Sequence, residues 1–413
     1  MKKKISIIGA SLYGCLLAYH LSQKKYEVTI YEKSSKLLSG FDSIDIKNYR
    51  INNGFHGLEY PRNKELINFL KNKIKLKQKR ILNTRKLLIN RELIDYTTRF
   101  KNLPKKIQDL YIKKNLIYYK NQNINFFFKK NFLKKIKKNS LRFSDDLKLS
   151  QHLFIPWFLP ADVKHITSDE GHRFRSLIRN RKITPFYFIP SSGLFETISK
   201  HFLKEFKKQK VKIIFNSRYM IDGSQVAIKN KYGKDELKDI KNSKIIYCGS
   251  PIIFINHIRP KMLNELKKYK RYFFNILVRI PKSNKLPYFS ELLCLNSNIY
   301  YVNRISRALH LENKKNYFIQ MEIILKNGVL TNKILDKTYK ELIKIFGFKN
   351  QKIIGYKFSR VIYSPTKKWL NKATNILKKF IDCKKIEVDN YNFEPINTAK
   401  VWLLLKKKLK KIN

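Results

Sequence analysis

Glycine is the first shortage: the chain has 13 in 413 residues, against a usual share of about 7%. That excludes collagen-like repeats and Gly-rich linkers, and it keeps glycine where backbone geometry demands it. Cysteine is scarcer. Cys15, Cys248, Cys294 and Cys383 are scattered without metal-ligand spacing, so neither a disulfide framework nor a cysteine metal site organises the chain. A reducing, cytoplasmic setting is the expectation. No window approaches the roughly 18 to 20 uninterrupted apolar residues of a membrane span. Acidic residues are few as well, 30 against 89 Lys and Arg, which leaves a formal net charge of +59.

That charge invites a nucleic-acid reading. The lysines are spread along the whole chain, and Lys, Asn, Ile, Phe and Tyr are abundant where Gly and Pro are few, the pattern that A/T-rich codons favour. No RNA-binding signature accompanies them. The expectation is therefore no dedicated nucleic-acid partner, but a basic field that attracts anionic small molecules. At 413 residues with 43% hydrophobic content, the chain is long enough for two domains. A homo-oligomer is left open.

What is present is concentrated near the start. Ile5 to Ile8 reads as a buried strand running into Gly9-Ala10-Ser11-Leu12-Tyr13-Gly14 and a helix, and Glu27 to Tyr31 reads as a second strand ending on Glu32 and Lys33. This is the opening of a βαβ unit with an acid at its close. Gly9 permits the tight turn, Gly14 lets the helix pack closely on the sheet, and the helix N-terminus offers N–H groups to a pyrophosphate. Glu32 stands where a carboxylate accepts bonds from an adenosine ribose. Ser11 replaces the middle glycine of the fingerprint. The run from Lys2 through Ala18 also has the outline of a secretory leader, with Leu12-Tyr13-Gly14-Cys15 hinting at a lipoprotein box; removing it would discard the strand that Glu32 needs.

Further on come Ser39-Gly40 and Asn53-Gly54-Phe55-His56. With the first turn, these resemble the FAD-binding domain shared by UDP-galactopyranose mutase, protoporphyrinogen oxidase, phytoene desaturase and amine oxidases. In that superfamily a glycine pair follows the acid, of which Gly40 keeps the second, and an Asp-x-Gly-x-His segment follows, here tightened around Asn53, Gly54 and His56. The resemblance implies that FAD is the cofactor.

The rest of the chain follows the same order. Lys64 to about Lys79 reads as an amphipathic helix, and 81–190 reads as a largely helical insertion containing Trp157, Arg173 and Arg175. Pro190-Ser191-Ser192-Gly193, a helix through Phe206, and strands at Val211–Phe215 and Ile245–Tyr247 resemble the return to the FAD domain. Strands at Phe273–Ile280, Ile299–Ile305 and Tyr317–Ile324 suggest a second sheet. By resemblance, Arg304 reaches substrate phosphates, Tyr363 sits beside one, and Arg173 helps to clamp them. Asn397 and Thr398 suit the start of a last helix, although no glycine stands in Asn390–Lys400.

The fold expected is α/β: a Rossmann-type FAD-binding domain built from discontinuous segments (1–80, 191–260 and 366–413), plus a mixed α+β substrate domain (81–190 and 261–365). The function implied is a flavoprotein acting on an anionic small molecule. Its sharpest version is a mutase-like reaction on a UDP-sugar, with His56 beside the flavin. Two alternatives stay open. One is an FAD oxidoreductase of the amine oxidase, protoporphyrinogen oxidase or desaturase type. The other is a non-catalytic binding protein of the same fold, its first unit a relic or an NAD site, which the departures at Ser11, Ser39 and the C-terminus favour.

Overall fold

The Ile/Val-rich runs form a parallel sheet buried on both faces, as such runs require. In the computed structural model the strands lie in the order Lys212–Ile214, Glu27–Tyr31, Lys4–Ile8, Lys244–Tyr247 and Ile386–Val388, all parallel, with Ile5 between Val28 and Lys244. The structure describes residues 3–24, 26–54, 57–60, 63–82, 84–89, 92–95, 186–222, 225–229, 244–266, 270–294, 302–325, 328–363, 367–383, 386–388 and 398–412.

Alternation along each strand splits the side chains between two helical layers. Ile7, Ile30 and Ile246 join Leu16, Leu17, Phe202, Phe206, Val401 and Leu405, from helices Leu12–Gln23, Thr197–Lys208 and Thr398–Ile412. Ile8, Tyr31, Ile245 and Tyr247 meet Phe254, Trp369, Ala373 and Leu377 on the opposite side, from helices Pro251–Ile258 and Lys367–Cys383. The result is a doubly wound three-layer α/β unit assembled from discontinuous segments. Among the described residues, no helix is long and apolar enough to cross a membrane.

The second sheet has seven strands, in the order Lys352–Tyr363, Lys270–Pro281, Asn316–Leu325, Val302–Arg307, Glu291–Cys294, Arg85–Ile89 and Glu92–Asp95. Its pairs are antiparallel except that of Glu291–Cys294 with Arg85–Ile89. One face packs on helix Asn332–Phe346 through Ile276, Ile319, Met321, Leu335 and Leu342. The other meets the hairpin Ser43–Ile46/Tyr49–Asn52 through Ile46, Ile51, Leu277, Phe318 and Ile354.

The stretch 81–190 departs from its helical reading at both ends. Gln78–Leu82, Arg85–Ile89, Glu92–Asp95 and Phe186–Pro190 are strands, and Phe186–Pro190 pairs with both Gln78–Leu82 and Leu58–Tyr60. Apolar residues interrupted by lysine runs gave this stretch a helix-like reading, whereas pairing partners distant in sequence decide for strand. Residues 96–185, with Trp157, Arg173 and Arg175, lie outside the described residues.

Candidate functional site

Gly9 leaves the first strand at φ +99, a conformation L side chains rarely adopt. A Cβ on Gly14 would fall 2.2 Å from the Gly9 carbonyl oxygen, so only glycine allows the helix to start this close to the strand. Ser11 caps the helix: its Oγ accepts the Gly14 N–H at 3.2 Å and donates to the Cys248 carbonyl at 2.8 Å. Its φ of −63 needs no glycine, and its oxygen is turned onto the chain's own backbone. Tyr13 is buried in the same helix.

Glu32 is 8% exposed. Its Oε2 accepts the Ala10 N–H at 2.6 Å, and its Oε1 accepts the Ser34 N–H at 2.8 Å. The Ser34 hydroxyl lies within reach of both Glu32 Oε1, at 2.9 Å, and the Lys36 carbonyl, at 2.6 Å. One hydrogen cannot serve both. When it turns to Lys36, each Glu32 oxygen keeps a lone pair for a ribose hydroxyl. Lys33 is exposed beside it. Gly40 lies in the short turn Ser39–Phe41, and a Cβ there would meet nothing within 4 Å, so the protein itself places no demand for glycine at that point. The first-turn geometry therefore fits a dinucleotide. The cradle is tight enough for backbone to approach a pyrophosphate, the helix N-terminus favours an anion, and the acid is held by the turn it serves.

The second part of the site lies where the hairpin ends. Asn53 and Gly54, with Gly54 at φ +100, meet a polar stripe on the hairpin-facing side of the second sheet. Asn275 donates to Asn53 Oδ1 at 3.1 Å, as does the Ser359 hydroxyl, and Gln320 Nε2 donates to Asn275 Oδ1 at 2.8 Å and to the Asn52 carbonyl at 3.0 Å. Deeper in the sheet, Arg304 donates to Glu291 Oε1 at 3.1 Å and to Glu322 Oε1 at 2.8 Å. The three side chains are 9%, 3% and 4% exposed. Burial works against the Arg304 charge, but Glu322 and Glu291 together outweigh it and hold the guanidinium charged. Arg360 also reaches Glu322, at 3.5 Å, and the Asn53 carbonyl, at 3.2 Å, and its side chain is 36% exposed. Burial pulls Arg360 below the usual arginine range, Glu322 opposes that, and the Arg304 charge adds to it.

The structure thus gathers Gly9, Ala10, Ser11, Tyr13, Gly14 and Glu32 at one turn, and Asn53, Gly54 and Arg304 at one junction. Arg304 is embedded in an ion-pair network rather than presented to solvent. Tyr363 ends the edge strand Lys352–Tyr363, and Thr398 opens the last helix. His56, Arg173 and Asn397 lie outside the described residues. Sequence reasoning missed Asn275, Gln320, Glu322, Glu291 and Arg360. The available signal was a polar residue at i and i+2 in an otherwise apolar strand, as in Gln320-Met321-Glu322.

Residues 7–72 match the model of the NAD(P)-binding Rossmann-like domain. No curated protein matches the chain. Among solved structures, reduced UDP-galactopyranose mutase superposes with a TM-score of 0.70 at 13% identity, covering 99% of this chain and 96% of that one. A CLA-producing fatty acid isomerase from P. acnes gives 0.60 at 13% identity, over 99% and 98% of the two chains. A putrescine oxidase redesigned in its cofactor binding gives 0.58 at 11% identity, over 100% and 99%. Identities this low establish a common fold, the one that the residues of the first turn resemble.

Proposed function

We propose that this chain is an FAD-dependent enzyme acting on an anionic small molecule, with a mutase-like reaction on a nucleotide sugar as its most specific form. The observation that carries the reading is the first turn: a glycine-tight cradle whose Ala10 N–H is fixed by the acid placed to take the ribose. FAD, when bound, supplies a nucleophilic and redox-active ring that none of the twenty side chains can replace.

The chain's own residues then do positioning and electrostatic work. Gly9, Gly14 and the helix N-terminus at Ser11 hold the pyrophosphate, and Glu32 accepts the ribose hydroxyls. Gly40 leaves room for the cofactor, the helix that begins at Thr398 closes its site, and Asn397, which precedes it in the sequence, contacts the cofactor. His56, two residues after Gly54 in the sequence, adjusts hydrogen bonding at the flavin. Arg173 and Tyr363 meet the substrate diphosphate, while Arg304 keeps Glu322 in place for Arg360. The full-length overlay on a UDP-galactopyranose mutase supports the mutase form.

The test is the visible spectrum of the protein after FAD is added and the excess removed. Retained flavin bands, bleached by dithionite and shifted by UDP, are expected. A protein that retains no flavin overturns the reading. One observation favours a second reading, a non-catalytic binding protein of this fold: Arg304 is enclosed by two carboxylates rather than offered to a ligand. A purified protein that retains no flavin favours it.

A further inference from the structure

Ser290, Ser306, Arg307, His310 and Gln320 line a cavity of about 30 Å³ that opens beside Gly54, between the second sheet and the hairpin end. That is room for about two water-sized groups. Ser290 is 2% exposed and its Oγ has no hydrogen-bond partner among the described residues. Ser306, 4% exposed, adds a second hydroxyl. Gln320 directs its amide hydrogens to Asn52 and Asn275, which leaves Oε1 as its remaining polar atom. His310 Nε2 lies 2.9 Å from the Arg50 carbonyl; facing an acceptor, that nitrogen carries the proton, so Nδ1 is an acceptor.

Among the described residues that line the cavity, the one arginine is already neutralised. Arg307 donates to both oxygens of Glu312, at 2.7 and 2.5 Å, and its guanidinium lies over the Tyr317 and Tyr288 rings. Among the described residues the lining therefore offers two hydroxyls and two acceptors but no net charge. It complements groups that both donate and accept, and an anion would find no unpaired cation among the described lining residues.

We infer that this cavity receives adjacent hydroxyl groups of a sugar or polyol. This deepens the nucleotide-sugar reading by assigning the sugar end, and it rests on that reading for its natural ligand although not for its test. The two serine hydroxyls bond to the ligand oxygens, and Gln320 Oε1 and His310 Nδ1 accept the ligand hydrogens.

Saturation-transfer NMR with methyl β-galactoside on the full-length protein, as purified, tests it. Transfer to the ring protons is expected, with affinity weakened about thirtyfold by Ser290→Ala with Ser306→Ala, since each of the two neutral hydrogen bonds is worth about 1 kcal/mol. Should the double variant fail to fold, Ser306→Ala alone, checked by near-UV circular dichroism, is expected to weaken binding severalfold. No transfer from the wild type means a cavity for water only and overturns the inference; so does equal transfer from the folded variants. The outcomes are separable. Galactoside binding with no flavin response to UDP removes the nucleotide reading alone, and a UDP response without galactoside binding removes this one alone.

Discussion

Glu322 Oε1 lies 2.9 Å from the point that a Cβ on Gly54 would occupy, which ties the end of the N-terminal hairpin to the ion-pair network of the second sheet. Gly54→Ala meets that oxygen and must also hold φ +100. A strained non-glycine residue of this kind costs about 1–3 kcal/mol. The unfolding free energy is expected to fall by that amount, read as a lower denaturant midpoint with an unchanged slope. An unchanged midpoint would mean that the carboxylate moves aside freely and that the junction is not rigid.

Arg304 is the residue whose role the surroundings revise. Removing its charge leaves Glu291 and Glu322 buried beside each other, the situation that costs about 3–5 kcal/mol when one partner of a buried pair is deleted. Arg304→Met is therefore expected to unfold at much lower denaturant. Adding Glu291→Gln or Glu322→Gln to it is expected to recover part of the loss. A stable Arg304→Met protein that had lost only its response to an anionic ligand would restore the role that resemblance assigned to Arg304.

The parallel sheet was legible because its strands are continuous apolar runs and its first turn needs glycine at two named positions. Ile5–Ile8, Glu27–Tyr31 and Ile245–Tyr247 announce themselves locally. Arg304 was visible as an arginine on a strand, but its meaning depends on Glu291 and Glu322, which reach it across strand pairs. No spacing along one strand contains that information. Gln78–Leu82 and Arg85–Ile89 misled for a related reason: strand pairing, set by partners such as Phe186–Pro190 and Glu291–Cys294, overrides local periodicity. Ser11 shows the reverse. A departure from the glycine fingerprint counted toward the non-catalytic reading, yet its side chain turns toward Cys248.

That orientation can be checked directly. Ser11→Ala removes the cap on Gly14 and the bond to Cys248, and an N-cap serine replaced by alanine costs about 0.5–2 kcal/mol. The protein is expected to lose stability in that range while its FAD affinity, followed by quenching of flavin fluorescence, changes by less than about twofold. A tenfold loss of affinity, equal to about 1.4 kcal/mol, would show that the hydroxyl contacts the cofactor after all.

Acid sensitivity follows from His20. Its ring packs against Tyr19 at 5.5 Å, Phe69 at 5.3 Å and Trp402 at 6.1 Å, and its Nε2 is buried with no hydrogen-bond partner among the described residues. Burial, and then the Lys24 charge, hold its pKa below the ordinary value of 6.5. The unfolded chain therefore takes up the proton first as pH falls. The stability contribution is complete above about pH 6.5 and is lost as pH drops from there toward the lower folded value. His310, lowered mainly by its own burial, acts in the same direction. His20→Phe is expected to reduce the loss of stability between about pH 7 and 5 without abolishing it, because His310 remains. At pH 7 it should also stabilise the protein by roughly 1 kcal/mol, since it removes an unsatisfied buried nitrogen. Thermal midpoints measured across that pH range decide the matter: parallel curves for the two proteins would mean that the imidazole stays hydrated and that the acid sensitivity has another source.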